Sequence, residues 1–295
     1  MTAVILAALA GLSYGASDFS GAVASKENDS VQVTVAMQVV SLLALIVILV
    51  AFPAGVFTAT DLVWGSIAGL GGGFGLVTFY RALAIGPMST AASITALCSA
   101  GVPVIAGLAM GEVPGTMTLA GIGVAIPSAV LVSVGGMAMT RVPAAGLPPR
   151  EYAAAVGGVG QTRGLAVAAG FGFGLFFIGL AQTSADGGLY PLLGARAASI
   201  IALATVVVAG TGAQRMAGAQ WFPVTIAGIL DCAANSFYLL AIERGSFTWV
   251  AAVSSLYPVS TVLLARVILK ERIMPLQILG LCGSAGALVL IALDA

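Results

Sequence analysis

Residues 62–86 read LVWGSIAGLGGGFGLVTFYRALAIG, and residues 221–245 read WFPVTIAGILDCAANSFYLLAIERG. Each opens on an apolar run of the length that crosses a bilayer, since about 20 residues rising about 1.5 Å each cover the hydrocarbon core. The two stretches share a register: Ile67-Ala68-Gly69 recurs as Ile226-Ala227-Gly228, Ala82 as Ala241 and Gly86 as Gly245, an offset of 159 residues. Working outward at that offset, Gly11 and Gly15 fall on Gly170 and Gly174, Leu97 on Leu256, Glu112 on Glu271 and Gly121 on Gly280. Alanine and leucine coincide readily in apolar sequence, whereas a common register for several glycines and two span-ending glutamates does not. The chain reads as a duplicated body.

Ten apolar runs fill most of the 295 residues: 3–23, 31–52, 62–85, 88–110, 116–139, 164–181, 189–209, 221–242, 247–269 and 275–293, the sixth being the shortest. Hydrophobic residues make up 60% of the chain and charged ones 7%, with a mean hydropathy of +1.11, outside the range of soluble globular domains. A transmembrane β-barrel would alternate apolar and polar residues in segments of about ten. These runs are apolar on all sides, so the expected fold class is an all-α integral membrane protein with ten transmembrane helices. The first run has no basic leader and no small-x-small site followed by soluble sequence, so it is expected to be retained as a span. Net charge is zero with no basic cluster, which gives no reason to expect nucleic acid. Cys98, Cys232 and Cys282 lie inside spans at no metal or redox spacing and read as small packing residues. The absence of histidine removes the commonest general base, proton shuttle and metal ligand. No cofactor is expected.

Residues 1–139 form one five-span unit and 164–295 the other, joined by a linker at 140–163 that carries Pro143, Pro148 and Pro149 with basic residues around them. An odd number of spans per unit makes the second copy enter the membrane inverted. Inverted repeats suit a transporter, because two pseudo-symmetric halves can exchange inward-open and outward-open shapes about a midplane site. Loops after odd-numbered spans hold Lys26, Arg141, Arg150, Arg163, Arg215, Lys270 and Arg272, and those after even-numbered spans only Arg244. By the positive-inside rule both termini are then expected outside.

Charges inside spans cost about 2.5–3.5 kcal/mol at the centre on insertion scales, so each calls for a role. Asp231 lies near the middle of the eighth run, with Asn235 and Tyr238 at i+4 and i+7 on the same helical face. That stripe offers a carboxylate, an amide and a phenol to a polar solute. The competing reading pairs Asp231 with an arginine or a neighbouring helix as structural glue. Asp18, with Tyr14 and Gly15 one turn before it, serves coupling or locks helices together. Arg196, two turns into the seventh run, holds an anionic substrate group or, more simply, neutralises one of the aspartates. Asp18, Asp231, Asn235, Tyr238 and Arg196 are the candidate substrate-binding or coupling residues. Arg81 sits close enough to Ile85 to snorkel to the headgroups. Glu112 and Glu271 suit caps on neighbouring helix N-termini. Gly71-Gly72-Gly73-Phe74-Gly75 is followed by no Lys-Ser/Thr and reads, like Gly170-Phe171-Gly172-Phe173-Gly174, as a close-packing face. Phe237, Tyr238, Trp249 and Tyr257 would suit an aromatic cavity wall, with membrane-interface anchoring the simpler role for Trp249.

Three stretches resemble the drug/metabolite transporter superfamily of EamA type: Tyr80-Arg81-Ala82-Leu83-Ala84-Ile85-Gly86-Pro87, Leu256-Tyr257-Pro258-Val259 and the span ending Leu269-Lys270-Glu271-Arg272. Tyr14-Gly15-Ala16-Ser17-Asp18-Phe19 looks like the first-span signature of a bacterial subgroup, and Tyr190-Pro191-Leu192-Leu193-Gly194-Ala195-Arg196 looks like a further family motif. The first unit departs at Met110-Gly111-Glu112-Val113, which lacks the basic residue, and at Ser99, where the second unit has Pro258. The resemblance implies ten spans, inverted repeats and a cavity lined mainly by spans three, four, eight and nine. It also implies cytoplasmic termini, against the charge count of this chain, which we keep.

The function expected is a secondary active transporter, in the exporting direction usual for the family, of small organic metabolites or amino acids. Alternating access would be powered by a gradient, a proton being the simplest coupling ion given two buried carboxylates. A membrane-embedded enzyme would need a nucleophile–base pair or a metal cluster that the chain does not offer. A non-transporting scaffold or regulatory subunit, whose polar span residues only hold helices together, is the alternative. The expected partners are a small-molecule substrate and the lipid of a cell membrane, the bacterial inner membrane if the resemblance holds. A homodimer is left open.

Overall fold

The computed structural model describes residues 1–53, 55–85, 88–137, 149–209, 221–268 and 274–293. Glu271 with its basic neighbours, the Gly86-Pro87 turn, linker residues 140–148 and Arg215 lie outside the described residues. Every regular element among the described residues is helical: α1 (Thr2–Ser25), α2 (Ser30–Ala51), α3 (Ala59–Ile85), α4 (Met88–Ala109), α5 (Thr116–Met137), α6 (Pro149–Ala181), α7 (Pro191–Ala209), α8 (Trp221–Ile242), α9 (Phe247–Ser254), α10 (Pro258–Ile268) and α11 (Pro275–Ala292), with one 3-10 turn at Ala185–Gly187. Among the described residues eight stretches are long and apolar enough to cross a membrane: α1, α2, α3, Gly160–Ala181 of α6, α7, α8, α9 and α10 together, and α11. Ile94–Ala109 of α4 and Thr116–Leu131 of α5 are shorter apolar helices.

Local chemistry sets several boundaries. Asp29 caps α2 by accepting from Val31 N at 2.9 Å and Gln32 N at 3.3 Å, which satisfies two orphan donors of the first turn. Proline opens α6, α7, α10 and α11, where its missing N–H costs nothing. The helical start of α6 at Pro149 makes residues 149–163 of the expected linker part of a helix. The stretch expected as one span at 247–269 crosses as one over its described residues, Phe247–Ile268, and is built of two helices that meet at 255–257. Pro258 cannot donate to the carbonyl of Ser254 and its ring would clash there, so α9 ends and a new helix begins. Local bonds carry the chain through the break: Ser255 N donates to Ala251 O at 3.0 Å, Leu256 N to Val253 O at 3.1 Å and Val259 N to Leu256 O at 3.0 Å. Pro103 and Pro127, by contrast, stay within α4 and α5.

The packing is reciprocal between the two halves. Helix α1 lies on α8 as α3 lies on α6, α2 on α8 as α3 on α7, and α4 on α6 as α1 on α9 and α10; α5 meets α11, α4 meets α9, and α2 meets α7. Lipid gives helices no hydrophobic drive to associate, so close backbone approach has to hold them. At Gly65 and Gly69, one turn apart on α3, an added Cβ would come 2.0 Å from the carbonyl oxygens of Pro191 and Ala195 respectively. The α3–α7 contact is therefore closed to any larger side chain at those positions. The outer faces carry exposed Leu43, Val47 and Val50 on α2 and Ile278, Leu279 and Val289 on α11, as a lipid-facing surface requires.

Candidate functional site

Four helices bring polar side chains to one place in the interior. Asp231 sits mid-way along α8, and its Oδ2 lies 2.6 Å from Arg196 Nη2 of α7. Arg196 Nη1 donates to Gln38 Oε1 of α2 at 2.7 Å, and Ser41 Oγ, less than one turn further along α2, donates to Asp231 Oδ2 at 2.9 Å. Asn235 Nδ2 donates to Asp231 Oδ1 at 3.0 Å and to its main-chain carbonyl at 2.6 Å. The Asn235 carbonyl oxygen accepts from Tyr14 OH of α1 at 2.8 Å. Arg196 and Asp231 are 3% and 5% exposed. A buried ion pair repays its desolvation best when the remaining lone pairs and protons are also satisfied; Gln38 does this for Arg196 Nη1 and Ser41 and Asn235 for the Asp231 carboxylate, while Arg196 Nη2 has the charge contact and no hydrogen bond. Arg196 thus takes the counter-ion role among its expected alternatives.

Asp18 lies one turn after Tyr14 on α1 and is buried, 8% exposed. Its neighbour Ser17 donates to Ala227 O at 2.8 Å, which fixes α1 to α8. Among the described residues no donor or cation pairs with the Asp18 carboxylate itself.

Asp18, Gln38, Arg196, Asp231 and Asn235 line a single cavity with Tyr14, Ser99, Tyr257 and a wall of Phe173, Phe176 and Phe177. Gly69, Gly72 and Leu76 of α3 complete the lining. The space open to water centres is about 40 Å³. At about 10–15 Å³ for each water this is room for a few waters.

Tyr238 is placed elsewhere. It shares the helical face of Asp231 and Asn235, yet it does not reach the cavity: its ring stacks on Phe177 at 4.6 Å between centroids and is fully buried. Of the aromatics expected in a cavity wall, only Tyr257 is there; Trp249 is buried rather than at an interface, and α6 supplies the phenylalanines. The lining also exceeds the expected spans three, four, eight and nine by drawing on α1, α2, α6 and α7. Gln38 and Ser41 were not anticipated. A glutamine within an otherwise apolar span was their available signal. The glycine runs pack as expected: a Cβ on Gly172 would lie 2.8 Å from Gly71 O and 2.9 Å from Gly75. Arg81 is exposed, in keeping with snorkelling. Among the described residues no group of three carboxylate or thiol side chains is placed to hold a metal ion.

One face of the bundle is tied shut by two other carboxylates. Glu112, in the turn between α4 and α5, accepts from Ser246 Oγ at 2.7 Å, Phe247 N at 3.1 Å, Thr248 N at 2.8 Å and the Thr248 hydroxyl. It is the cap of α9, as its position suggested. Burial pushes the Glu112 carboxyl up, but these hydrogen bonds outweigh it and hold the group below its ordinary value. Asp61, in the first turn of α3, accepts from Ser184 N, Ser184 Oγ and Thr58 Oγ1, each at 2.7 Å. Beside it Val56 N donates to Asp186 O at 2.7 Å, so the α2–α3 and α6–α7 connections are joined. Glu112, Ser184, Glu243 and Phe247 border a common hollow at this face.

The model of the EamA-like transporter family matches this sequence over residues 1–134 and again over 164–293. A solved crystal structure described only as that of a protein superposes with a TM-score of 0.72 at 17% identity, covering 99% of this chain and 96% of its own, a likeness of fold. No curated protein matches the chain.

Proposed function

This chain belongs to the EamA-like transporter family, a multi-pass membrane family of small-molecule transporters, and from that premise we propose that it is a secondary active exporter of small organic metabolites or amino acids. It works by alternating access between two inverted five-helix repeats, residues 1–139 and 164–295, that together make ten spans about the connection at 140–163, of which residues 149–163 lead α6. The two family matches and the reciprocal helix contacts support that reading. The bacterial inner membrane is its proposed location, and a proton gradient acting through the buried carboxylates its energy source.

The observation that carries the proposal is the Gln38–Arg196–Asp231–Asn235–Tyr14 network. It joins α1 and α2 of one half to α7 and α8 of the other around a small interior cavity. A polar network that only held helices together would need no cavity. A network that has to be broken and remade in each cycle has one at its centre.

Ligand-dependent melting of the purified chain tests the reading. At about a hundredfold above Kd a ligand of the native state adds about 2.7 kcal/mol of stability. Amino acids, nucleosides, polyamines and sugars are screened against wild type and Asp231→Asn. A shift seen in wild type and lost in the variant supports the site. An equal shift in both removes Asp231 from binding, and no shift with any solute favours the scaffold reading.

A further inference from the structure

The charges that face the cavity do not cancel. Among the described residues its lining carries two carboxylates, Asp18 and Asp231, and one guanidinium, Arg196. Arg196 is neutralised by Asp231 at 2.6 Å, and Ser41 and Asn235 complete the shell of that carboxylate. Asp18 is left over. It is more than nine-tenths buried, it opens on the cavity, and among the described residues nothing donates to it. The other charged side chains described in the lining, Arg196 and Asp231, are paired with each other.

Around that carboxylate the cavity is aromatic. Tyr14 and Phe177 meet edge to face at 5.9 Å, and Phe173 and Tyr257 both meet Phe79, at 5.8 and 6.3 Å. A buried carboxylate without a partner is costly, and an ammonium group relieves that cost while the ring faces attract its charge. An anion would meet uncompensated negative charge. A neutral solute would leave Asp18 as it is.

Resting on the transporter reading, we propose that the site takes organic cations, an ammonium group on an apolar or aromatic body, with Asp18 as the counter-ion. Arg196 and Asp231 then form a neutral wall and are not the charge that selects the solute.

Binding to the full chain in lipid nanodiscs, read by calorimetry, tests this with four probes of similar size: phenethylammonium, benzyltrimethylammonium, 2-phenylethanol and phenylacetate. Both cations are expected to bind at least tenfold more tightly than 2-phenylethanol, and phenylacetate not to bind. Asp18→Asn is expected to lose tenfold or more of the cation affinity and to keep that for 2-phenylethanol. Should Asp18→Asn fail to fold, Phe173→Leu serves instead and weakens the cations severalfold while sparing the neutral probe. Equal affinity for charged and neutral probes overturns the proposal. So does cation affinity unchanged in both variants, no ammonium bound at neutral or alkaline pH, where a proton would be the sole occupant, or phenylalanine binding better than phenethylammonium. Binding is read without flux, so the two readings fail separately: a cation bound but never moved sinks transport, and a solute moved with no ammonium bound sinks the cation site.

Discussion

The Arg196–Asp231 pair separates two roles that a single substitution would confuse. Asp231→Asn leaves the Arg196 guanidinium buried and unpaired, a loss of about 3–5 kcal/mol for broken buried pairs, and lowers the melting temperature. Arg196→Gln combined with Asp231→Asn removes both charges and is expected to recover most of that stability, because the neutral pair no longer strands a charge. Flux stays lost in the double variant if the pair takes part in transport; a stable double variant that still transports would make the pair glue alone. Both members were legible in the sequence, because a charge in a span is flagged by its insertion cost. Their helpers were not. Gln38 and Ser41 carry no charge, and their importance comes from a partner more than 150 residues away, which only the fold brings near. Tyr238 was placed too close to the site because periodicity reports the face of a helix and not the depth along it. Seven residues at about 1.5 Å each put it about 10 Å further along α8, against Phe177.

Among the elements, α9 and the α4–α5 turn are held together by Glu112, and Glu112→Gln is expected to cost about 1 kcal/mol, the usual loss for a helix cap. The sign of its pH dependence follows from its lowered pKa. The folded carboxyl titrates below the unfolded one, so its contribution is full above the ordinary carboxylate range and is lost as pH falls through the folded value. Melting of wild type against Glu112→Gln should therefore differ by a constant amount from pH 6 to 8 and converge only in acid; convergence at neutral pH would contradict the cap. On α3, Gly69→Val would drive Cβ into the Ala195 carbonyl, and the chain is expected to fail to accumulate in the membrane. Hydropathy and glycine spacing located these helices to within a few residues at most ends. They did not reveal the break at 255–257, since an apolar window does not register the hydrogen bond that Pro258 removes. Nor did they show that α6 begins at Pro149, because a basic, proline-marked stretch reads as a connector on composition alone.

For the whole molecule, the proposed cycle takes this structure, with a small interior cavity and one face tied at Asp61 and Ser184, as one of its members. The duplicated register was legible from the sequence, and the family model matches the chain twice, whereas the shape of the cavity was not legible, since no local pattern encodes it. Under the proposed alternating access, the tie between Val56 and Asp186 is expected to open. Val56→Cys with Asp186→Cys, in a chain whose Cys98, Cys232 and Cys282 are replaced by serine, should lose flux on oxidation and regain it on reduction. The most direct measurement is flux itself, in liposomes holding the purified chain, for each solute that shifts its melting temperature. The account predicts saturable, protein-dependent movement of at least one such solute, abolished in Asp231→Asn while the variant remains inserted. A ligand that binds the chain yet crosses no faster than in empty liposomes, or flux unchanged in the variant, would contradict it.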